Sequence, residues 1–315
     1  MSILTIAIPT FNRSEYLHKC LLSLSKNKLD DVEILVLDNH STDNTQEIIK
    51  NIQQTLDLKY ICHSTNIGPD ENFKQCIREA SSEYVWIFGD DDIFFQDSVV
   101  SIVNILKSYD NIGLVHLQAE NFMKLSDLNN TRPFLKYDSF TNNKKFVKQV
   151  HTNITFLSAN IFNKDIVMHY IKLETIPNNN LGQVYWNLIA LIKGKNNIFI
   201  KSKIFAARQL NSGNYNFCEV FVKNLMNTLY QIDKEIPIGC IIKIFQKRLL
   251  IFYYPANIVR IRNGLSNVKY KDCWKYMRAL FIFHPLFWIF TVPALVLPKK
   301  KALLILKFFE KILQK

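Results

Sequence analysis

The chain has 315 residues, enough to bury one large core, or one catalytic core with a smaller appendage. Aromatic residues make up 13% of it and no low-complexity tract occurs, which excludes a largely disordered protein. The net charge of +12 is uneven: residues 241–315 contain 15 Lys and Arg against two acids (+13), which leaves residues 1–240 at −1. This asymmetry predicts a separate surface-binding role for the C-terminal part.

The first 110 residues alternate between predicted strands and predicted helices. Mainly apolar runs lie at residues 3–9, 32–37, 60–62 and 84–88, and the first of them shows no alternation, which is typical of a strand covered on both faces. Apolar residues at helical spacing follow each run, with Ser14 and Asp97 as expected N-caps and Pro69 in an expected first turn. The alternation predicts an α/β fold with a Rossmann-type, mostly parallel sheet and flanking helices.

Polar residues follow all four predicted strands. They are Asn12 and Arg13, then Asp38, Asn39 and His40, then Asn66 and Gly68, and finally Asp90, Asp91 and Asp92. The carboxyl ends of parallel strands meet at one edge of a sheet, where open α/β sheets bind their ligands. The four groups therefore predict one site.

The run Gly89-Asp90-Asp91-Asp92 is the sharpest single feature. Three adjacent carboxylates repel one another, and a hard divalent cation such as Mn²⁺ or Mg²⁺ would remove that cost while keeping positions open for phosphate oxygens. The alternative is an acidic turn that caps the following helix at its positive end. Its position directly after a buried, aromatic-rich strand favours the metal site, with Asp90, Asp91 and Asp92 as candidate ligands.

The sequence resembles the family 2 glycosyltransferases, which are inverting enzymes with the GT-A fold. The matching stretches are Ile8-Pro9-Thr10-Phe11-Asn12-Arg13, Val36-Leu37-Asp38-Asn39-His40-Ser41-Thr42-Asp43, Asn66-Ile67-Gly68 and Phe88-Gly89-Asp90-Asp91-Asp92. Their order and spacing match over roughly the first 110 residues. A weaker likeness continues through residues 156–160 to about Arg208.

The resemblance implies a role for each matching residue. Pro9, Thr10 and Arg13 would line the nucleotide pocket, Asp38 would bind the base or ribose, and the acidic triplet would hold a metal against the donor diphosphate. The full set of implied donor-binding residues is Pro9, Thr10, Asn12, Arg13, Asp38, Asn39, Asn66, Gly68, Asp90 and Arg208.

Each residue also has a purely structural interpretation. Asn12, Asn66 and Gly68 are typical turn residues, and Asp38 is a possible cap for the turn at residues 41–43. Arg13 is equally typical of a solvated surface, and Arg208 of a structural salt bridge. Their joint occurrence favours the donor site.

The general base is harder to place. The family usually carries an acidic pair shortly before a helix in the second half of the domain, but residues 178–186 (NNNLGQVYW) contain no carboxylate. Gln183 is neutral at pH 7 and would at most orient an acceptor. Glu120 and Glu174 are the candidate bases, with Asp127 as a further nearby acid.

The C-terminal part is apolar and basic. Residues 279–297 are almost wholly apolar, with two prolines and a histidine, and reach only the lower length of a spanning helix. In residues 299–315, six lysines alternate with large apolar residues, as in a helix that lies on an anionic leaflet. A helical subdomain with a solvated basic face is the alternative. No recognisable nucleic-acid module surrounds the charge, so we expect no nucleic-acid partner.

Two features bear on the compartment. The six cysteines, Cys20, Cys62, Cys76, Cys218, Cys240 and Cys273, include no Cys-x-x-Cys pair, so we expect free thiols in a reducing compartment. No basic stretch followed by a long apolar one begins the sequence, so we expect no signal peptide.

Together these features predict a catalytic domain at 1–240 (nucleotide-sugar half 1–110, acceptor half 111–240) and a helical, membrane-associating region at 241–315. The predicted activity is metal-dependent transfer of a sugar from a UDP-, GDP- or dTDP-linked donor to a lipid-linked or cell-surface glycan, on the cytoplasmic face of a bacterial membrane. The alternatives are a nucleotidyltransferase or phosphotransferase, although no Gly-rich phosphate loop follows the first strand, and a degenerate nucleotide-sugar-binding protein.

Overall fold

The computed structural model describes residues 2–128, 135–209, 215–266 and 268–304. These residues form two compact units, Met1–Asn211 and Ser212–Lys315. The division falls about 30 residues before the predicted boundary at 240. The excess of positive charge begins at residue 241, but the helices of the second unit begin earlier, so charge does not mark where the second core starts.

The first unit is built on nine described strands in one sheet. They are β1 (Leu4–Thr10), β2 (Val32–Asp38), β3 (Lys59–Cys62), β4 (Tyr84–Ile87), β5 (Ile93–Phe94), β6 (Ile112–Phe122), β7 (Tyr137–Phe140), β8 (Asn160–Asn163) and β9 (Asn196–Arg208). The order is β3-β2-β1-β4-β8-β6-β9-β5, with β7 also paired to β9. Strands β1 to β4 pair in parallel, as predicted. Beyond β4 the sheet is mixed, because β8 runs antiparallel to both β4 and β6, so the expectation of a mostly parallel sheet holds only for the first half.

In the described part of this unit, seven helices flank the sheet. They are α1 (Ser14–Leu24), α2 (Thr45–Ile52), α3 (Pro69–Glu79), α4 (Ser98–Ser108), α5 (Asn143–Val150), α6 (Lys164–Tyr170) and α7 (Gly182–Lys193). Helix α1 buries Leu17, Cys20, Leu21 and Leu24 against the sheet, which is the face that the helical spacing predicts.

The structure differs from the expected N-caps of α1 and α4. Pro69 occupies the first turn of α3, as predicted. Ser14 is the first residue of α1 rather than its cap, and its backbone N–H donates to Asp43 Oδ2 at 2.9 Å. Asp97 precedes α4 with a left-handed backbone (φ 60°) and makes no side-chain cap bond. The start of α1 is therefore capped from the loop after β2, which ties the first two strand-end loops together.

The second unit is helical: α8 (Leu225–Glu235), α9 (Gly239–Arg248), α10 (Tyr254–Arg262), α11 (Cys273–Phe281) and α12 (Val292–Val296). Cys218 and Cys273 are joined in a disulfide, with a Cα–Cα distance of 5.0 Å. The expectation that all six thiols are free is therefore wrong for this pair, because partners 55 residues apart come together only through the fold. Among the described residues, no helix is long and apolar enough to cross a membrane.

Candidate functional site

The strand-end loops meet at one edge of the sheet. Thr10 at the end of β1 is in register with Asp38 at the end of β2, and Asp38 is in register with Cys62 at the end of β3. On the other side of β1, Ala7 is in register with Ile87, the last residue of β4. All four groups of polar residues therefore leave the sheet at the edge that the sequence predicts.

Two residues after β1 hold the acidic triplet in place. Thr10 Oγ1 donates to Asp90 Oδ2 at 2.8 Å, across 80 residues of sequence. Arg13 Nη1 lies 3.1 Å from Asp90 Oδ1 and 3.4 Å from Asp91 Oδ2. Both oxygens of Asp90 are thus engaged inside the protein, and Asp90 anchors the triplet to the first strand.

Arg208, the last residue of β9, also contacts the triplet, at the same Asp91 oxygen as Arg13. Its Nε and Nη2 donate to Asp91 Oδ2 at 3.1 and 2.9 Å, and its backbone N–H donates to Asp92 Oδ1 at 3.1 Å. The guanidinium also stacks over the Tyr16 ring at 4.3 Å, which fixes its plane. Arg208 therefore forms a salt bridge, and its partner is the triplet itself.

Burial changes the proton affinity of two of the three carboxyl groups. Asp90 and Asp92 are almost fully buried, which raises the pKa of Asp90 to about 6 and that of Asp92 to about 7. Arg13 opposes the shift at Asp90, and a Ser158 hydrogen bond opposes it at Asp92. Removing water from a carboxylate without a neighbouring cation favours its neutral form, so Asp92 is poised for a positively charged ligand.

The oxygens beside Gly89 fit a hard cation that arrives with a phosphate ligand. A Cβ built on Gly89 would lie 3.2 Å from both Asp92 Oδ2 and Ser158 Oγ, and 3.4 Å from Asp91 Oδ1. Three oxygens thus converge on one small space, which a residue larger than glycine would fill. No group of three or more acidic, His or Cys side chains placed to hold a metal occurs in the described part of the chain. The donor set of two carboxylates suits Mg²⁺ or Mn²⁺ shared with substrate phosphates rather than a protein-only cage.

Asp38 stabilises the end of β2 through hydrogen bonds within the protein. It is fully buried, Oδ1 accepts the Ser41 N–H at 2.8 Å, and Oδ2 accepts the Tyr60 hydroxyl at 2.6 Å. Burial and the neighbouring Asp38 together raise the pKa of Tyr60. The cap interpretation of Asp38 is therefore correct, although a carboxylate retains lone pairs for a further donor.

Asn39 and Asn66 shape the loop after β3. Asn39 Nδ2 donates to Asn66 Oδ1 at 2.9 Å, and Asn39 Oδ1 accepts the Ile67 N–H at 2.9 Å. Asn66 Oδ1 also accepts the Gly68 N–H at 2.9 Å, and Gly68 has a positive φ of 82° that favours glycine. This loop is held rigidly just before α3 begins.

Asn12 connects the loops after β1 and β2. It has a left-handed backbone (φ 51°), its N–H donates to Ser41 Oγ, and its Oδ1 accepts the Thr42 N–H, both at 2.8 Å. Pro9 lies buried within β1, in register with Leu37. Asn12 is therefore a turn residue, and its hydrogen bonds join the loops after β1 and β2.

The two candidate bases occupy different places. Glu174 pairs with Arg78 at 2.6 Å, near the end of α3. Helix α3 starts at the strand-end edge, so Arg78 lies roughly 12 Å further along the helix from that edge. Glu120 is nearer: its register partner on β9 is Ala206, which also pairs with Ile93, the residue after Asp92. Two strand spacings separate Glu120 from Ile93, roughly 10 Å. The side chain of Asp127 is not among those described.

Polar contacts between α3 and residues 176–180 could not be predicted from the sequence. Lys74 is almost fully buried, and its Nζ donates to Ile176 O at 2.7 Å and to Asn178 Oδ1 at 2.8 Å. Asp70 Oδ2, one turn nearer the edge, accepts the Asn180 N–H at 2.9 Å. The segment 174–180 therefore runs antiparallel to α3, and α7 begins at the edge of the sheet where the strand-end loops meet. A lysine on an amphipathic helix gives no sign that it will be buried.

Gln183 occupies the first turn of α7, within the region 178–186 where the family resemblance predicts an acidic pair. Its Nε2 donates to Thr155 O at 2.8 Å. Its Oε1 is buried and has no hydrogen-bond partner within the described part of the chain. Three residues beyond Thr155, Ser158 Oγ accepts the Gly89 N–H at 2.9 Å. Gln183 is thus linked through residues 155–158 to the acidic triplet.

An α/β sheet with four polar loops at one edge, an acidic triplet and two convergent arginines is the arrangement of a nucleotide-binding transferase fold. The profile of Glycosyl transferase family 2 matches residues 5–170, more than half of the chain. The chain belongs to glycosyl transferase family 2, and the expected GT-A fold is confirmed.

Two curated relatives share the N-terminal part. The abequosyltransferase RfbV of Salmonella typhimurium is 38% identical over 116 residues, 36% of this chain and 35% of that protein. The GalNAc(5)-diNAcBac-PP-undecaprenol beta-1,3-glucosyltransferase of Campylobacter jejuni is 35% identical over 94 residues, 29% of this chain and 30% of that protein. The chain thus matches only about a third of the length of these relatives.

Two solved structures share the fold over most of the chain. S. aureus TarS 1–349, in complex with UDP-GlcNAc, superposes with a TM-score of 0.64 at 16% identity and covers 88% of this chain and 79% of that one. The mannosyltransferase PcManGT of Pyrobaculum calidifontis, in complex with GDP-Man and Mn²⁺, has a TM-score of 0.58 at 13% identity, with 93% and 86% covered. At these identities the likeness shows the fold alone.

Proposed function

We propose that the protein transfers a sugar from a nucleotide-sugar donor to a lipid-linked or cell-surface glycan. The observation that carries the proposal is the convergence of Arg13, Arg208 and the acidic triplet at the edge formed by the loops after β1, β2 and β3. Arginines and carboxylates at one point suit a diphosphate, and the loops beside them suit a nucleoside. The family and the structures in complex with UDP-GlcNAc and GDP-Man support this assignment.

The two arginines have a direct role in the proposed reaction. Each pairs with Asp91, which keeps its guanidinium at the edge. A diphosphate offers more negative charge than one carboxylate, so either arginine gains by turning towards it. Asp91 and Asp92 would hold Mn²⁺ or Mg²⁺, and the ion would supply neutralisation of the charge that develops on the leaving nucleoside diphosphate.

We assign the general base to Glu120 in preference to Glu174. An inverting transfer needs a carboxylate that takes the proton from the acceptor hydroxyl as the hydroxyl attacks the anomeric carbon. Glu120 lies two strands from the residue after the triplet, with an intermediate exposure that leaves it accessible. Glu174 is held by Arg78 away from the edge. A backbone hydrogen bond at Glu174 itself, and then the hydrogen bond from Arg78, lower the pKa of its carboxyl group and so its strength as a base.

The acceptor class rests on the relatives. The Campylobacter protein is named for an undecaprenol-linked acceptor, and a polyprenyl-linked or glycolipid acceptor would require a position at the cytoplasmic face of the membrane. Residues 305–315, which hold most of the predicted basic helix, lie outside the described residues. The membrane leaflet therefore remains a proposal for this chain.

A panel of nucleotide sugars tests the activity. UDP-, GDP- and dTDP-linked sugars are incubated with the protein and Mn²⁺, and release of the nucleoside diphosphate is measured with and without EDTA. We expect slow hydrolysis of at least one donor, lost in Asp91→Asn and reduced in Glu120→Gln, while Glu174→Gln resembles the wild type. Binding of a donor with no turnover under any condition would favour a degenerate binding protein, and turnover in both Asp91→Asn and Asp92→Asn would contradict the metal site.

A further inference from the structure

The second unit presents large apolar side chains to solvent next to one another. Phe283 is 96% exposed, Ile289 60%, Trp288 48% and Trp274 42%. Single exposed apolar residues are ordinary on protein surfaces, but a group of large ones is not. We call these four residues the aromatic patch.

One ring contact and one hydrogen bond bring Trp274, Trp288 and the turn that bears Phe283 together. The Trp274 ring, in the first turn of α11, lies 6.4 Å from the Trp288 ring. Trp288 Nε1 donates to Ile282 O at 2.7 Å, which brings its ring beside the turn that bears Phe283. Helix α11 packs inside the unit through Cys273, Met277 and Phe281, and Trp274 lies at the edge of that buried face. The packing of α11 therefore holds Trp274 in place, while the other three patch residues follow the helix in sequence.

The charge beside the patch is positive. Lys275 and Arg278, on the same helix, are both exposed, and Arg278 stands one turn from Trp274. Residues 269–304 contain seven Lys and Arg and a single acid, Asp272. A protein partner would need an acidic surface with an apolar centre, whereas an anionic bilayer offers both over its whole area.

We propose that the aromatic patch, with Lys275 and Arg278, docks the second unit on an anionic lipid surface. Tryptophan and phenylalanine would enter the boundary between head groups and acyl chains, where amphipathic rings are favoured, while the two cations remain at the level of the lipid phosphates. The chain would lie on the membrane through this patch, and the binding needs no sugar donor. The proposal therefore stands or fails independently of the proposed transfer reaction.

Vesicle flotation with the full chain tests the docking. The vesicles are phosphatidylcholine alone or phosphatidylcholine with one third phosphatidylglycerol. The patch variant is Phe283→Ser with Ile289→Ser, and the charge variant is Lys275→Gln with Arg278→Gln. Matched controls in the first unit are Met123→Ser with Met168→Ser, which are exposed apolar residues, and Lys26→Gln with Lys28→Gln, which are exposed lysines. Thermal unfolding of each variant checks that the exposed substitutions leave the fold intact.

We expect the wild type to float with the anionic vesicles. The partition coefficient should fall at least tenfold in the patch variant and about twenty-five-fold in the charge variant, since each cation at an anionic surface contributes roughly fivefold. Both controls should float as the wild type does. A wild type that stays in the dense fraction would overturn the proposal, as would patch and charge variants that float normally. A dimer that dissociates in the patch variant, without vesicle binding, would instead assign the patch to a second copy of the chain.

Discussion

Replacement of Asp38 by alanine should unfold the first unit more easily as well as weaken nucleotide binding. The carboxylate is fully buried and accepts hydrogen bonds from the Ser41 backbone and the Tyr60 hydroxyl. A hydrogen bond to a charged group contributes about 1.5–3 kcal/mol, and because Tyr60 is half exposed we take the low end for each. Their loss should lower the free energy of unfolding by about 3 kcal/mol.

The expected loss of unfolding free energy can be measured as a decrease in melting temperature. For a domain of this size, about 3 kcal/mol corresponds to a decrease of roughly 6–12 °C. Tyr60→Phe removes only one of the two bonds and should lower the melting temperature by about half as much. The double variant should melt close to Asp38→Ala, because the two residues share one of the bonds.

Nucleotide affinity is measured on the same variants by calorimetry. Asp38 holds the turn at Ser41, and Ser41 Oγ in turn accepts the Asn12 N–H, so Asp38→Ala should also loosen the wall of the pocket. The reasoning is refuted if Asp38→Ala melts as the wild type does while nucleotide affinity falls several-fold. The carboxylate would then serve the ligand and not the fold.

Three further predictions concern other parts of the chain. Gly89→Ala places a methyl group 3.2 Å from Asp92 Oδ2 and should weaken metal-dependent donor binding about tenfold, measured by calorimetry with and without Mn²⁺. Burial lowers the pKa of His116 to about 4, so between pH 6.5 and 4 only the unfolded state takes up a proton at this residue. The contribution of the neutral imidazole to the free energy of unfolding is therefore complete above pH 6.5, and about 3 kcal/mol of it is lost as the pH falls to 4. That loss should be absent from unfolding curves of His116→Gln. Thiol titration of the denatured, unreduced chain should find four reactive groups, since Cys218 and Cys273 are paired, and a count of six would contradict the pairing.

The first half of the sheet could be predicted because its strands carry an unambiguous pattern. All seven residues of β1 are buried, so its apolar run has no alternation that could be confused with a surface strand. The polar residues after β1 to β4 follow from the same parallel order, since parallel strands end at one edge. The later strands offer no such rule: β8 enters antiparallel between β4 and β6, and local pattern does not encode which neighbour a strand selects.

The candidate site was predictable in its residue types but not in its pairings. Arg208 contacts Asp91 across 117 residues, and no local signal shows that an arginine at the end of β9 returns to the loop after β4. Buried polar contacts are equally difficult to predict from the sequence. Lys74 lies on an amphipathic helix among charged neighbours, yet its hydrogen bonds connect α3 to the segment before α7. The cysteine pair was missed for the same reason, because spacing alone does not bring Cys218 to Cys273.

Calorimetric titration with UDP, GDP and dTDP in the presence of Mn²⁺ tests the central claim most directly, that a nucleoside diphosphate binds where Arg13, Arg208 and the acidic triplet converge. The wild type should bind at least one of the three. Asp91→Asn and Arg208→Gln should each weaken that binding at least tenfold, a loss of about 1.4 kcal/mol. Glu174→Gln, whose side chain pairs with Arg78 near the far end of α3, should leave it unchanged. Binding that is equally strong in all four proteins, or absent for all three nucleotides in the wild type, would contradict the assignment of the site.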